Sequence, residues 1–205
     1  MTNEIVRATA EHIVIVVIAV VVAAAAGIPI GVACVRHPRS GRVALRAIDI
    51  VQTIPSLALF GFLIPLPLIG GIGVRTAIVA LILYSLLPIV RNTVTGITGV
   101  DPLIREAATV LGMTERQRLF SVELPLAFPS IIGGLRIATV IAIGVATIGA
   151  AVGGGGLGTL IFRGVAMVDT TRILAGALPA AGLAIIADVL FASLERIAAR
   201  RFGGA

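Results

Sequence analysis

The sequence predicts an all-α protein that crosses a membrane several times. Three observations carry that reading. The 205 residues are 58% hydrophobic and only 13% charged, whereas a soluble domain is about 25% charged. The mean hydropathy is +1.13. Apolar runs of bilayer length, about 20 residues each, recur without the alternation of a strand. The spans are therefore expected to be helices, which close their backbone hydrogen bonds within the segment. The net charge of +6 comes from 16 basic residues, all of them arginine. They are scattered between apolar runs rather than gathered on one face. That pattern reads as topology-setting charge and not as a nucleic-acid surface. The single Cys34 excludes an intramolecular disulfide and lies inside an apolar run, as a packing residue would.

Five spans are expected within one transmembrane domain, residues 1–205. The first is His12 to Val35. Its apolar run is longer than the roughly 7–15 residues of a signal-peptide core, and its start is not basic, so it reads as a retained helix. The second, Ala47 to Ile69, is interrupted by Pro55, Pro65 and Pro67 and is expected to kink or break near its far end. The third is Thr76 to Thr98, the fourth Pro129 to Val152 and the fifth Ile173 to Ala198. The stretch GGGGLGTLIFRGVAMVDTTR, residues 153–172, has an apolar part too short to span. It reads as a loop or a shallow re-entrant segment, with a sixth span as the alternative.

Arginine placement gives the orientation. Arg36, Arg39, Arg42 and Arg46 follow the first span, Arg105, Arg116 and Arg118 lie between the third and fourth, and Arg196, Arg200 and Arg201 close the chain. With five spans these three segments share one side, which should be cytoplasmic. The opposite side has only Arg7, Arg75, Arg163 and Arg172. The N-terminus is then expected outside and the C-terminus inside.

The polar segment Asp101 to Pro125 is an anomaly in so apolar a chain. Asp101 suits an N-cap, Pro102 the first helical position and Gly112 a left-handed C-terminal position. Thr114 and Gln117 match a capping box that opens a second helix, which is expected to stop at Pro125. Pro129 then opens the fourth span. Leu103, Ala107, Val110 and Leu111 form an apolar stripe at helical spacing. On these grounds alone the segment is either an amphipathic linker lying on the membrane or a surface for a soluble partner.

The order of residues in the segment is more specific. Glu106-Ala107-Ala108, then Gly112 after three residues, then Val122-Glu123-Leu124-Pro125 after nine, resembles the EAA loop of ABC-importer permeases. Val122 replaces the isoleucine usual there. The resemblance implies a cytoplasmic coupling loop over residues 101–125. Glu106, Ala107, Ala108, Gly112, Leu124 and Pro125 would dock on an ATP-binding subunit. The segments IPSLALFGFLIPLPLIGGIG, ALILYSLLPIVRNTVTGI, VELPLAFPSIIGGLR and GGGGLGTLIFRG look like the permeases of osmoprotectant importers, which handle glycine betaine, choline, carnitine and related solutes. That likeness runs from about Asp49 to Arg196 and implies a type I ABC importer permease in the cytoplasmic membrane. Such a subunit pairs with a second permease, identical or sister, with two ATP-binding subunits and with an external substrate-binding protein. No fused binding domain is expected within these residues. Amino-acid permeases, such as those for methionine, share the architecture and remain an alternative. A channel or ion-coupled carrier is a more distant one, for which no acidic ring or cation site is visible.

Other motifs weigh little. Gly153, Gly155 and Gly158 match G-x-G-x-x-G, but a dinucleotide site needs a strand before the glycines and a span precedes them here. The chain contains no lysine, hence no P-loop lysine. No cofactor is expected in this chain, since ATP and magnesium belong to the partner subunits. His12 and His37 are expected near opposite faces, which argues against a metal site. No catalytic set is legible, so an enzyme is not expected. Within the spans, Gly134, Ala138, Ala142, Ala146 and Ala150 recur every fourth residue, a seam for close helix approach that could face this chain or a second permease. Asp188 with Arg136, and Asp49 with Arg91, sit at matching depths and are expected to pair or to snorkel. Tyr84 is the one candidate for a contact in the pathway, against a plain packing role. Phe60 and Phe62, two residues apart, should point to different sides. The chain has no Trp, so an aromatic cage for a quaternary ammonium group is not expected within it.

Overall fold

Among the described residues of the computed structural model, four helices are long and apolar enough to cross a membrane, and a fifth crossing is counted if one bent pair is taken as a single span. The structure describes residues 1–67 and 70–202. The first span is α1 (Thr2–Arg36). It starts earlier than the apolar run because polar residues extend it, with Arg7 pairing to Glu11 one turn on at 3.0 Å. The second span is divided into α2 (Pro38–Thr53) and α3 (Ser56–Leu63), which meet at 102°. The sharp bend thus falls at Pro55, and the helix also ends near the far end, at Leu63 before Pro65. Pro55 has no N–H to continue α2, and Ile54 before it is extended, with ψ 125°. The expected end of this span, Ile69, lies outside the described residues.

The third span, α4 (Val74–Thr98), lies as expected. It is followed by α5 (Pro102–Val110) and the single turn α6 (Glu115–Arg118). A π turn, Leu119–Glu123, leads from α6 into α7 (Leu124–Gly149). The second helix of the polar segment therefore does not stop at Pro125, and the fourth span does not open at Pro129. Chain from Glu115 to Val152 is one helical rod of 38 residues. In the π turn the Leu124 N–H reaches back to the Leu119 carbonyl, and the widened turn gives the Pro125 ring room beside the preceding carbonyls. A 3-10 turn, Ala150–Val152, and a glycine-rich turn precede α8 (Leu157–Met167). Its 11 residues extend about 16 Å, roughly half a bilayer core, so α8 is not a sixth span. The last span is α9 (Thr170–Phe202). Among the described residues there is no strand, so Gly153, Gly155 and Gly158 lack the unit that a dinucleotide site requires.

The centre of the bundle is α1, α4 and α7. A Cβ on Gly31 would stand 2.6 Å from Thr93 Cβ, and one on Gly134 2.7 Å from Asn92 Cβ. Ala138, Ala142 and Ala146 are buried against Ala23 and Ile89, and against Ile15, Val16, Ala19 and Leu81. The small-residue seam therefore faces α1 and α4 of the same chain. Cys34 is buried where α2 folds back at Gly41. Phe60 is wholly buried and Phe62 is exposed, on different sides of α3.

Two ends of the bundle are distinct. At one, Arg36 of α1 meets Glu115, and Phe128 of α7 stacks edge-on with Phe202 of α9 at 5.9 Å. The three arginine-rich segments gather there. At the other, Glu4 pairs with Arg163 at 3.2 Å and the Gly73 N–H donates to Val152 O. The start of α1 and the end of α9 thus lie at opposite ends.

Candidate coupling site

The polar segment is built by local capping. Asp101 Oδ1 accepts from the Leu103 N–H at 2.8 Å, and Pro102 opens α5. Gly112 has φ +77°, a left-handed conformation that glycine adopts without strain. Its N–H donates to Thr109 O at 3.0 Å. Thr114 and Gln117 form the reciprocal capping box: the Thr114 N–H donates to Gln117 Oε1 at 2.9 Å and the Gln117 N–H to Thr114 Oγ1 at 3.3 Å.

This geometry leaves α5 standing clear of the bundle. Leu103, Val110 and Leu111 are 70%, 87% and 81% exposed, and Ala108 alone in α5 is buried. Glu106 and Ala107 are exposed as well. Glu106 lines a shallow depression of about 510 Å³ with Arg105, Thr109, Val110 and Arg118. Leu124 points inward, packed with Ile97, Leu119, Ala127 and Ile131, and Pro125 is half-buried at the start of α7. The motif residues thus divide: Glu106 and Ala107 face outward with Gly112 at the turn, while Ala108, Leu124 and Pro125 hold the segment to the bundle.

Sequence reasoning passed over Glu123, which is only 5% exposed. Arg118 Nε donates to its Oε1 at 3.1 Å, Arg36 Nη2 lies 3.7 Å from its Oε2 and Arg105 Nε lies 3.9 Å from its Oε1. A lone carboxylate in the otherwise apolar stretch that leads into the fourth span was the available signal.

In the spans, Arg136 grips Asp188 through two hydrogen bonds, from Nε at 2.6 Å and from Nη2 at 2.8 Å. Glu195, also passed over, lies 3.6 Å from Arg136 Nη1. It stands two turns beyond Asp188 on α9, so helical spacing could have found it. Arg91 Nη2 donates to Asp49 Oδ1 at 2.7 Å. Arg136, Asp188 and Glu195 are half-buried and line an opening of about 360 Å³ with Asn92, Gly133 and Val140. Tyr84 is buried among Leu59, Phe60, Leu63, Ala77 and Ala80. Its hydroxyl donates to Ile54 O, and Gln52 Nε2 donates to Tyr84 O at 2.7 Å. It braces the α2–α3 break. His12 is buried, with Nε2 3.2 Å from Ile143 O, near the opposite end of α1 from His37. Among the described residues no group of three or more His, Cys, Asp or Glu could hold a metal ion.

Residues 23–202 match the family described as binding-protein-dependent transport system inner membrane component. The chain belongs to that family. It is 48% identical to the osmoprotectant import permease protein OsmW of Salmonella typhimurium, over 91% of this chain and 88% of that one. It is 44% identical to the glycine betaine/carnitine/choline transport system permease protein OpuCB of Bacillus subtilis, over 94% and 88%. A third relative is the carnitine transport permease protein OpuCD of Listeria monocytogenes, 49% identical over 82% and 75%. The fold is that of a chain in an inward-facing structure of the MetNI methionine ABC transporter, with a TM-score of 0.88, 22% identity and 97% of each chain covered. The chain is thus a membrane-spanning permease component with the fold of a type I ABC importer.

Proposed function

We propose that this chain forms half of the membrane pathway of an ATP-driven importer of osmoprotectants of the glycine betaine, choline and carnitine class. The observation that carries the coupling role is the α5 ridge. Leu103, Val110 and Leu111 are held away from the chain's own core, beside the exposed Glu106 and at the arginine-rich end. An apolar ridge with a charged flank fits a groove on a soluble partner, and the ATP-binding subunit is that partner. ATP and magnesium are bound there and not in this chain. By the arginine bias the ridge faces the cytoplasm, with the start of α1 outside. The names of the relatives supply the substrate class. A second permease, identical or sister, completes the pathway, which opens alternately to either side. An external binding protein supplies the aromatic cage for the quaternary ammonium group.

The test is ATP-dependent uptake of radiolabelled glycine betaine, choline and carnitine into proteoliposomes. These carry the permease, its ATP-binding subunit and the binding protein. Uptake of at least one that stops when ATP or the binding protein is left out is expected. Uptake of methionine alone would overturn the substrate class, and uptake without ATP would overturn the importer reading.

A further inference from the structure

We infer that Glu123 is a positioning residue that transmits movement of α5 to the spans. The inference rests on the coupling role proposed above and names the residue through which that coupling passes. Its basis is what holds α5 in place. Apolar packing does little, because only Ala108 of α5 is buried. The remaining attachment is polar and converges on one carboxylate. Arg118 donates to Glu123 Oε1 and, through Nη1, to Thr109 Oγ1 of α5 at 3.1 Å. Arg36, at the end of α1, lies against Glu123 Oε2 and donates from Nη2 to Glu115 O at 2.9 Å. Arg105 of α5 approaches Glu123 Oε1 and donates from Nη2 to Ile97 O near the end of α4. One buried carboxylate therefore joins α1, α4, α5, α6 and the head of α7.

Two further features make this a linkage and not mere filling. Glu123 ends the π turn, a widened turn that often marks functional sites. Arg105 Nε is buried without a hydrogen-bond partner and points to the same Oε1 that Arg118 holds. A small displacement of α5 would exchange Arg118 for Arg105 on that oxygen, so the hub has two bonded arrangements available. Without the carboxylate charge, Arg105 and Arg118 would be left with no counter-charge in contact, and Arg36 with only the exposed Glu115 at 3.5 Å. α5 would then keep its bond from Arg105 to Ile97 O of α4 but lose its charged link to α1 and α7.

The experiment compares wild type, Glu123→Gln and Glu123→Gln/Arg105→Gln in the assembled complex with its ATP-binding subunits and binding protein. The readouts are complex size, basal ATP hydrolysis and the ratio of substrate-stimulated to basal hydrolysis. The single variant is expected to assemble with unchanged basal hydrolysis and a stimulation ratio lowered about tenfold, a typical size for coupling between sites. The double variant, relieved of one uncompensated charge, is expected to recover part of the ratio. A wild-type ratio in Glu123→Gln would overturn the inference. So would loss of assembly, or of stimulation, that the double variant does not relieve at all, since that marks a merely structural carboxylate. Absence of stimulation in the wild-type complex with every osmoprotectant would instead count against the proposed substrate class. The hub would then be read from exchange rates of the α5 amides in the same complexes, expected about tenfold faster in Glu123→Gln. Equal rates would overturn it.

Discussion

The α1–α4–α7 centre and the segment from Asp101 to Glu123 are held together by opposite means. In the centre, backbones approach closely because Gly31 and Gly134 have no side chain and Ala138 and Ala142 only a methyl. Lipid gives apolar side chains no advantage for meeting each other, so contact area from small residues does the holding. In the segment, Leu103, Val110 and Leu111 are left out, and arginines around Glu123 do the holding. Packing that cannot slide suits a bundle that must rock as a body. Charged contacts, which can exchange partners, suit the lever proposed for this segment.

The largest effect is expected from breaking the lever at its turn. Gly112→Pro replaces a residue at φ +77° whose N–H is bonded with one fixed near −65° and without an N–H, a local cost of about 3 kcal/mol or more. Substrate-stimulated hydrolysis and uptake should be lost while insertion in the membrane persists. Normal stimulation would remove the coupling role from this segment. The converse substitution is in the centre. A valine at Gly134 would push its Cβ to 2.7 Å from Asn92 Cβ and 2.8 Å from Pro88 O, an overpacking that costs about 1–3 kcal/mol. Gly134→Val should lower the melting temperature in detergent while surviving complexes keep their stimulation ratio. A changed ratio at unchanged melting would erase the distinction between the two regions.

Two smaller effects sharpen the comparison. Arg136→Ala and Asp188→Ala should each lower the melting temperature, and the double variant should fall by less than their sum, since Arg136→Ala strands Asp188 and Asp188→Ala leaves Arg136 only Glu195 at 3.6 Å. Additive shifts would mean that each group is stabilised by water or headgroups instead. Tyr84→Phe removes the hydroxyl that donates to Ile54 O, at about 1 kcal/mol, and should leave the KM for uptake unchanged. A raised KM would place Tyr84 in the pathway.

Much of this was legible in the residues because its causes are local. Asp101, Pro102, Gly112, Thr114 and Gln117 cap and turn the chain through bonds that reach three residues or fewer, so their types announce α5 and α6. Arg136 and Asp188 could be matched because a bilayer disfavours lone charges and adjacent antiparallel spans share depth. Other features were not legible. Three prolines could each have broken the second span; the chain turns sharply at Pro55, where Tyr84 donates to Ile54 O, and α3 stops at Leu63 before Pro65. Pro125 reads as a stop, yet a π turn carries the helix through it.

The residue order alone determined that the chain is helical and membrane-spanning, roughly which stretches form its spans, and that one polar helix–turn–helix interrupts them. These follow from hydropathy, periodicity and capping, which act over one or two helical turns. Only the tertiary structure decided that the small-residue seam faces α1 and α4, that α8 stops short of crossing, that the ridge of Leu103, Val110 and Leu111 is left exposed among the described residues, and that Arg36, Arg105 and Arg118 meet on Glu123. Each of these depends on residues far apart in the sequence. Which of them touch is set by how whole helices pack, and no local pattern records that.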